Sequence, residues 1–411
     1  MAFNDVPPSR PASAHADPPA AVAPPPGNPR FPLFDGLRAV AALSVLLYHA
    51  GYYSRANEGQ AGLSPYLARL NVGVAVFFVI SGFLLYRPLL AARIGDGPPV
   101  AMRDYFRRRV LRIVPAYWVA LTVLALYPGL PDTFSGHWWV YYGFGQGYSA
   151  RLVTNSIGPA WSLGCEVVFY ALLPFLSLAL GYAATRAGRR IWWRLELAVL
   201  GVLTLASAGW RAYAHSHPGI PSSTFASTFG WFALGMALAM ASVALAHRPH
   251  RGLERVARYA WAGWIIALAA YAAICRGLGL GGGFVFFQRE STVQDLAVYA
   301  LSGVLAAGLA LPAAFERSPK AIRRVLGAPV VAWLGLVSYG IYLYHQPIAN
   351  ALNGGVTNAG NAALRFLWLA PATAAIAITA AAASYYLVER PALRFKERRL
   401  RRPKLAPEAA G

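Results

Sequence analysis

The sequence predicts an all-α polytopic membrane protein, with about ten transmembrane helices in one bundle and both termini in the cytoplasm. Three observations lead to this: the apolar composition, the scarcity of charge and the placement of the basic residues. Hydrophobic residues make up 57% of the 411 residues and charged residues 13%, whereas a soluble domain carries about 25% charged residues. The formal charge of +21 does not indicate a nucleic-acid partner, because the basic residues lie between long apolar runs and not on a polar surface.

Ten apolar stretches are long enough to cross a bilayer, which takes about 17–25 residues. They are placed near residues 34–51, 70–88, 113–130, 159–181, 193–209, 224–246, 259–275, 293–313, 329–350 and 365–388. The aromatic segment His137–Phe144 is too short to cross and is expected at the headgroup level, where Trp and Tyr are enriched. The chain is therefore expected to be a multi-pass protein of the plasma (inner) membrane.

The basic residues predict the orientation of these spans. With the N-terminus in the cytoplasm, 29 of the 37 basic residues fall on the cytoplasmic side and six on the opposite side, alternating loop by loop. Cytoplasmic loops carry an excess of Lys and Arg, so both termini are expected in the cytoplasm. The positive charge is then a topology signal and a contact with the anionic headgroups of the lipid bilayer.

Three regions are expected along the chain. Residues 1–30 hold nine prolines and seven alanines; without an apolar core of about 7–15 residues they are not a signal peptide, and a disordered cytoplasmic tail is predicted. Residues 31–395 form the transmembrane domain, and residues 396–411 a basic cytoplasmic tail. The two cysteines, Cys165 and Cys275, exclude a disulfide framework and a cysteine metal cluster, and no metal site is expected.

The first predicted span carries ionisable residues, which are costly in a membrane and mark candidate sites. Arg38 and His49 are eleven residues apart, so they share one helix face at a separation of about 16 Å. Asp35 lies on the same side, near the cytoplasmic end. An imidazole titrates near neutral pH and is the usual acceptor of a hydroxyl proton. The alternative for His49 is a structural histidine at the interface.

The second and third predicted spans add a small notch and a pair of arginines. Ser81 and Gly82 offer either close helix packing or room for a ligand against the backbone. Arg109 and Arg112 share a face at the cytoplasmic end of the third span. Forked guanidinium groups suit phosphate, although anchoring of the topology would also place arginines there.

The fourth and ninth predicted spans hold the remaining polar candidates. Glu166, five residues after Trp161, is a carboxylate deep in an apolar run, so it is expected to contact an arginine, a histidine or a ligand. Ser338, Tyr342 and His345 share one face of the ninth span. Structural readings, a helix-packing ion pair for Glu166 and a core histidine for His345, remain open.

The order of these motifs carries a resemblance. The chain reads Phe34-Asp-Gly-Leu-Arg-Ala with Arg-x10-His, then Phe77-Phe-Val-Ile-Ser-Gly-Phe, Arg109-Val-Leu-Arg-Ile-Val-Pro, Trp161-Ser-Leu-Gly-Cys-Glu, Ser338-Tyr-Gly-Ile-Tyr-Leu-Tyr-His and finally Val388-Glu-Arg-Pro. This series resembles the acyltransferase-3 family of integral membrane O-acyltransferases over residues 31–395. Because the chain ends soon after the last span, it is expected to be a stand-alone transferase domain.

The resemblance implies transfer of an acyl group, acetyl or another short one, from cytoplasmic acyl-CoA to a hydroxyl. The acceptor would be a sugar, a glycolipid or a glycosylated natural product. Acyl-CoA would be a co-substrate, with no permanently bound cofactor. His49 is then the expected general base, with Arg38 and Glu166 as catalytic partners. The candidate donor- and substrate-binding residues are Arg109, Arg112, Asp35, Ser81, Trp161, Ser338, Tyr342 and His345.

Three alternatives are considered: a transporter, a structural or lipid-binding membrane protein, which would not need five intramembrane polar motifs, and a different class of enzyme. A proton-coupled transporter would use Arg38, His49 and Glu166 as a relay, but no internal repeat is visible in the sequence. A membrane-bound O-acyltransferase with a lone catalytic histidine would need His345 and dispense with His49. Consumption of a thioester separates the transporter from both enzymes.

Overall fold

The computed structural model describes residues 31–59, 62–95, 99–187, 192–247, 251–280, 290–315, 319–354 and 361–394. The tails predicted at 1–30 and 396–411 lie outside these residues. In the described part all regular structure is helical, and the α-helices are, in chain order α1 to α14, Leu33–Ser54, Ser64–Leu67, Gly73–Ile94, Met102–Leu124, Trp138–Tyr142, Trp161–Ala187, Trp192–Ser216, Phe225–His247, Arg251–Arg258, Ala262–Ala272, Thr292–Ala314, Lys320–Leu326, Pro329–Gly354 and Ala362–Ser384.

The predicted membrane fold is confirmed, with eight to ten spans. Eight helical segments of the described chain are long and apolar enough to cross a bilayer. Two more spans are bent: α9 meets α10 at 65° and α12 meets α13 at 52°. The predicted spans 259–275 and 329–350 correspond to α10 and α13, on one side of each bend. The chain bends there because α9 and α12 are basic helices, with arginines that favour the headgroup region over the hydrocarbon.

Several helices extend beyond the predicted apolar stretches, α4 and α7 the furthest. The third span was placed at residues 113–130, but α4 begins at Met102, since the arginine-rich turns before the apolar run continue the helix. The fifth was placed at 193–209, and α7 continues to Ser216. The aromatic segment His137–Phe144 contains only the short α5, and Trp138 and Trp139 are exposed, in keeping with a segment too short to cross.

Close helix approach organises the core. The main contacts join α1 to α13, α3 to α8 and α13 to α14. A side chain at Gly82 would collide with the carbonyl oxygen of Phe232 on α8, and one at Gly335 with the backbone of Asp35 on α1. Gly82 therefore serves helix packing, while its neighbour Ser81 faces a cavity. Such small residues let membrane helices approach closely.

Some polar side chains are buried between helices as structural pairs. Glu196 on α7 is fully buried; it accepts a hydrogen bond from the hydroxyl of Tyr86, at 2.7 Å, and pairs with Arg93 on α3. Burial of a carboxylate is tolerable only with such partners, so the Glu196 cluster ties α7 to α3.

The two cysteines, Cys165 and Cys275, are both buried and both free.

Candidate active site

One cavity among the described residues is rich in arginine and measures about 340 Å³. We name it the arginine cavity. Residues near the N-terminal end of α1, on the first half of α4 and at the C-terminal end of the last span line it at one end of the bundle, and residues of α3, α6 and α13 complete it. Its polar lining consists of Asp35, Arg38, Ser81, Arg109, Arg112, Ser162, Glu166, Tyr170, Ser338, Tyr339, Tyr342, Tyr385 and Glu389.

The second cavity, the histidine cavity, measures about 360 Å³ and lies toward the other end of the bundle. The second half of α1, the residues before α6 and α8, the end of α7 and the start of α11 surround it. Its lining is aromatic and polar and includes His49, Tyr52, Tyr53, Asn71, Thr154, Trp161, Arg211, His215, Trp231, Glu290, Asp295 and Gln346. Val74 and Tyr342 line both cavities.

The arginines of the first cavity differ in their surroundings. Arg38 is held by an ion pair with Asp35 on the same helix, at 2.9 Å. The guanidinium of Arg109 lies over the ring of Tyr170, at 5.8 Å, and within the described residues its buried Nε has no hydrogen-bond partner. Arg112 is exposed, so the cavity reaches the surface at this end. Arg109 and Arg112 thus offer donors to an anion.

Glu166 lies between hydroxyl groups on the wall of the arginine cavity. Its Oε1 accepts a hydrogen bond from Ser81, at 2.7 Å, and its Oε2 accepts one from Tyr170, at 2.9 Å. The sequence analysis expected a direct arginine, histidine or ligand contact. The direct partners are hydroxyls, in place of an arginine or a histidine. Arg38 and Arg112 act on the carboxylate only at longer electrostatic range.

His49 is joined to a second histidine. Its Nδ1 lies 2.9 Å from the carbonyl oxygen of Val45 and 3.1 Å from Nε2 of His345. Nδ1 of His345 lies 3.0 Å from the carbonyl oxygen of Ile341. Because a carbonyl only accepts, both Nδ1 atoms carry the hydrogen, and the single hydrogen on Nδ1 of His49 is shared between the carbonyl oxygen of Val45 and Nε2 of His345. In this tautomer the basic nitrogen of neutral His49 is Nε2.

The structure divides the predicted site residues between the two cavities. His49 and Trp161 line the histidine cavity, and Tyr342 lines both. His345 lines neither cavity: it is fully buried, with its Nε2 3.1 Å from Nδ1 of His49, and its expected part in substrate binding stays a prediction. Trp161, grouped with the donor candidates, lies on the side of His49 and away from the arginines. The other predicted residues line the arginine cavity: Asp35, Arg38, Ser81, Arg109, Arg112, Glu166 and Ser338.

Sequence reasoning missed part of each lining. In the histidine cavity, Arg211 on α7 donates two hydrogen bonds to Asp295 on α11, at 2.6 and 2.7 Å. Asp295 was detectable as an acid inside the predicted span 293–313. In the arginine cavity, Glu389 is 4% exposed, and its Oε1 has no hydrogen-bond partner within the described residues. Glu389 belongs to the Val388-Glu-Arg-Pro motif, which could have indicated it but to which the sequence analysis assigned no role.

The linings suit an organic substrate. Across the described residues, no group of three or more His, Cys, Asp or Glu side chains is arranged to hold a metal ion. Arg109 and Arg112 have no ion-pair partner among the described residues and can bind an anion at one end. At the other end, an imidazole among aromatic and amide side chains allows proton transfer in the neighbouring space.

Several curated proteins are similar to this chain. It is 26% identical to the acyltransferase MdmB of Streptomyces mycarofaciens, over 91% of this chain and 95% of that protein. It is 25% identical to the putative peptidoglycan O-acetyltransferase YrhL of Bacillus subtilis (strain 168), over 88% of this chain, and 25% identical to Nodulation protein 10 of Rhizobium leguminosarum bv. viciae, also over 88%.

The coverage differs between these relatives. The chain spans 54% of the length of YrhL but 93% of Nodulation protein 10. No solved structure matches it. The acyltransferase domain of the acyltransferase-3 family matches residues 32–386, which include α1 to α14, the whole lining of the histidine cavity and all of the arginine cavity except Glu389 and Leu393. The chain therefore belongs to the acyltransferase-3 family.

Proposed function

We propose that the protein is an O-acyltransferase of the plasma membrane that moves a short acyl group from acyl-CoA to a hydroxyl of a carbohydrate or glycosylated acceptor. The observation that carries the proposal is the pair of cavities, one rich in arginine and one containing His49, that share Val74 and Tyr342 as lining. A donor and an acceptor bound in these cavities meet inside the bundle.

The arginine cavity supports an acyl-CoA donor. Coenzyme A carries phosphates, and Arg109 and Arg112 line this cavity without an ion-pair partner among the described residues. Charge-assisted hydrogen bonds from guanidinium to phosphate are among the strong ones. The pantetheine arm then points into the bundle and carries the thioester toward Tyr342. By the positive-inside rule this cavity faces the cytoplasm.

His49 is the proposed general base. Its Nε2 takes the proton of the acceptor hydroxyl while the hydroxyl oxygen attacks the thioester carbonyl carbon. A new C–O bond forms, the C–S bond breaks, and the proton passes from His49 to the sulfur of the departing coenzyme A. The hydrogen bond from Nδ1 to Nε2 of His345, at 3.1 Å, supports His345 as a positioning residue that fixes the tautomer.

The histidine cavity supports a hydroxyl-rich acceptor. Trp161 and Trp231 offer faces for a sugar ring, and Asn71 and Gln346 offer amides. Its charged groups are already paired, Arg211 with Asp295 and Glu290 with Arg69, which favours an uncharged acceptor. One relative, YrhL, is a putative peptidoglycan O-acetyltransferase, which supports an envelope sugar as the acceptor. The acceptor then binds from the outer side.

The direct test is thioester consumption by purified protein. In detergent, with acetyl-CoA and the membrane fraction of the source cells as acceptor, free coenzyme A is expected to appear together with radiolabelled acetyl in that fraction. A protein-free reaction gives the background. A proton-coupled transporter, which would use Arg38, His49 and Glu166 as its relay, leaves the thioester intact. That result would overturn the proposal.

The proposed orientation makes a second prediction, which follows from the distribution of basic residues. In a variant without Cys165 and Cys275, single cysteines at Ala150 and Ser216 are expected to react with a membrane-impermeant maleimide in intact cells. Cysteines at Ala101 and Glu254 are expected to react only after permeabilisation. All four positions are exposed, so the comparison reports sidedness and not burial. The reverse pattern would contradict a cytoplasmic arginine cavity.

A further inference from the structure

Two side chains line both cavities and form the wall between them. Val74 on α3 and Tyr342 on α13 line both cavities and are 8% and 4% exposed. On the α6 side the lining changes over within a few residues: Pro159 and Trp161 belong to the histidine cavity and Ser162 to the arginine cavity. Whatever passes between donor and acceptor therefore passes these side chains.

Tyr342 is held rigidly in this wall. Its hydroxyl lies 2.8 Å from Oγ of Ser162 and 3.1 Å from the carbonyl oxygen of Pro159. Its ring meets Phe77 edge-on, at 5.6 Å between centroids, and packs at 5.7 Å from the ring of His345. A ring fixed at both its hydroxyl and its faces cannot move aside without losing these contacts. The passage between the two cavities is thus limited by side chains that are held in place.

We propose that Val74 and Tyr342 form a filter that limits the size of the transferred acyl group. The inference rests on the proposed function, because it takes the donor phosphates at Arg109 and Arg112 and the acceptor hydroxyl at His49. With the donor held in this way, the acyl group is the leading end of the molecule. It has to fit between Val74 and Tyr342 at the moment of transfer.

Packing decides which acyl groups fit. Membrane-protein interiors, like other protein interiors, are close-packed, and extra methylenes in a filled space force side chains off their preferred rotamers. One methylene in a tight apolar pocket changes specificity by about 10–200-fold. Phe77 packs on Tyr342 and also lines the arginine cavity, on the side from which the acyl group would arrive. The filter therefore selects acetyl over longer linear acyl groups.

The experiment compares donors of increasing length. Purified wild-type protein and variants receive acetyl-, propionyl-, butyryl- or hexanoyl-CoA with a radiolabelled acyl group, and the source-cell membrane fraction as acceptor. Incorporation by the wild type is expected to fall by about tenfold or more for each added methylene. Val74→Ala is expected to raise the butyryl-to-acetyl ratio about tenfold or more. Tyr342→Phe, which keeps the ring but loses the hydroxyl anchor, is expected to raise it less.

A matched control removes the same atoms elsewhere on the helix. Val79 on α3 is fully buried and lines neither cavity, so Val79→Ala is expected to leave the ratio unchanged. Binding of coenzyme A alone reports whether each variant is folded. If the ratio in Val74→Ala and Tyr342→Phe moves no more than in Val79→Ala, the filter is refuted while the transferase function stands. If the wild type incorporates no label from any donor, the proposed function fails and the filter with it.

Discussion

His49→Gln is expected to reduce acyl transfer by about 10²–10⁴-fold, the contribution of a positioned general base. Glutamine keeps a polar group that can donate to the carbonyl oxygen of Val45, as Nδ1 of His49 does at 2.9 Å. It cannot take a proton from a hydroxyl. The loss therefore falls on the transition state, and binding of the donor in the arginine cavity is expected to stay near normal. The measurement is single-turnover transfer by detergent-purified protein at saturating acetyl-CoA.

The chain offers a matched control for this change. Nδ1 of His217 donates to the carbonyl oxygen of Tyr213, four residues earlier, at 2.8 Å. That repeats the local hydrogen bond of His49, but His217 is exposed and lines neither cavity. His217→Gln is expected to keep the wild-type rate. Retention of about a tenth or more of the rate by His49→Gln would exclude general-base catalysis by this residue.

The spans could be predicted because hydropathy is a property of each segment alone. About twenty consecutive apolar residues have to be buried in lipid wherever their neighbours pack. The candidate polar residues were visible for the same reason: Glu166 and His49 stand out in apolar runs because an unpartnered polar group there is costly. Their partners depend on how helices pack against each other, which a single sequence does not encode locally. Hence the sequence did not indicate that the direct partners of Glu166 are the hydroxyls of Ser81 and Tyr170.

The histidine pair illustrates the same limit. Spacing along α1 and α13 put His49 and His345 on inward faces, yet it offered no way to know that these faces meet. In the structure, α1 packs against α13, and His345 supports His49 from behind. The Arg211–Asp295 pair was hidden for a different reason. Arg211 lies just beyond the fifth predicted span, 193–209, whereas in the structure its partner on α11 allows the charge to remain in the helix.

Arg109→Ala is expected to weaken binding of acetyl-CoA by about 10- to 150-fold, the range that corresponds to about 1.5–3 kcal/mol for a hydrogen bond to a charged group. Arg109 is favoured over Arg112 for this test because it is the more buried of the two and already pre-organised. Its guanidinium lies over the ring of Tyr170, and its buried Nε has no partner within the described residues. A phosphate that completes this donor gains a bond made in low dielectric. Equilibrium binding of acetyl-CoA to purified protein measures the effect.

Arg108→Ala separates donor binding from membrane topology. Arg108 carries the same charge on the same turn of α4 but lines neither cavity. A purely topological role predicts equal effects of the two substitutions, since the positive-inside rule counts charges near the span and not their direction. Donor binding predicts a loss of affinity in Arg109→Ala alone, at equal protein levels. Unchanged affinity in Arg109→Ala would leave the arginine cavity without its proposed phosphate contact, and the thioester would have to enter the bundle by another route.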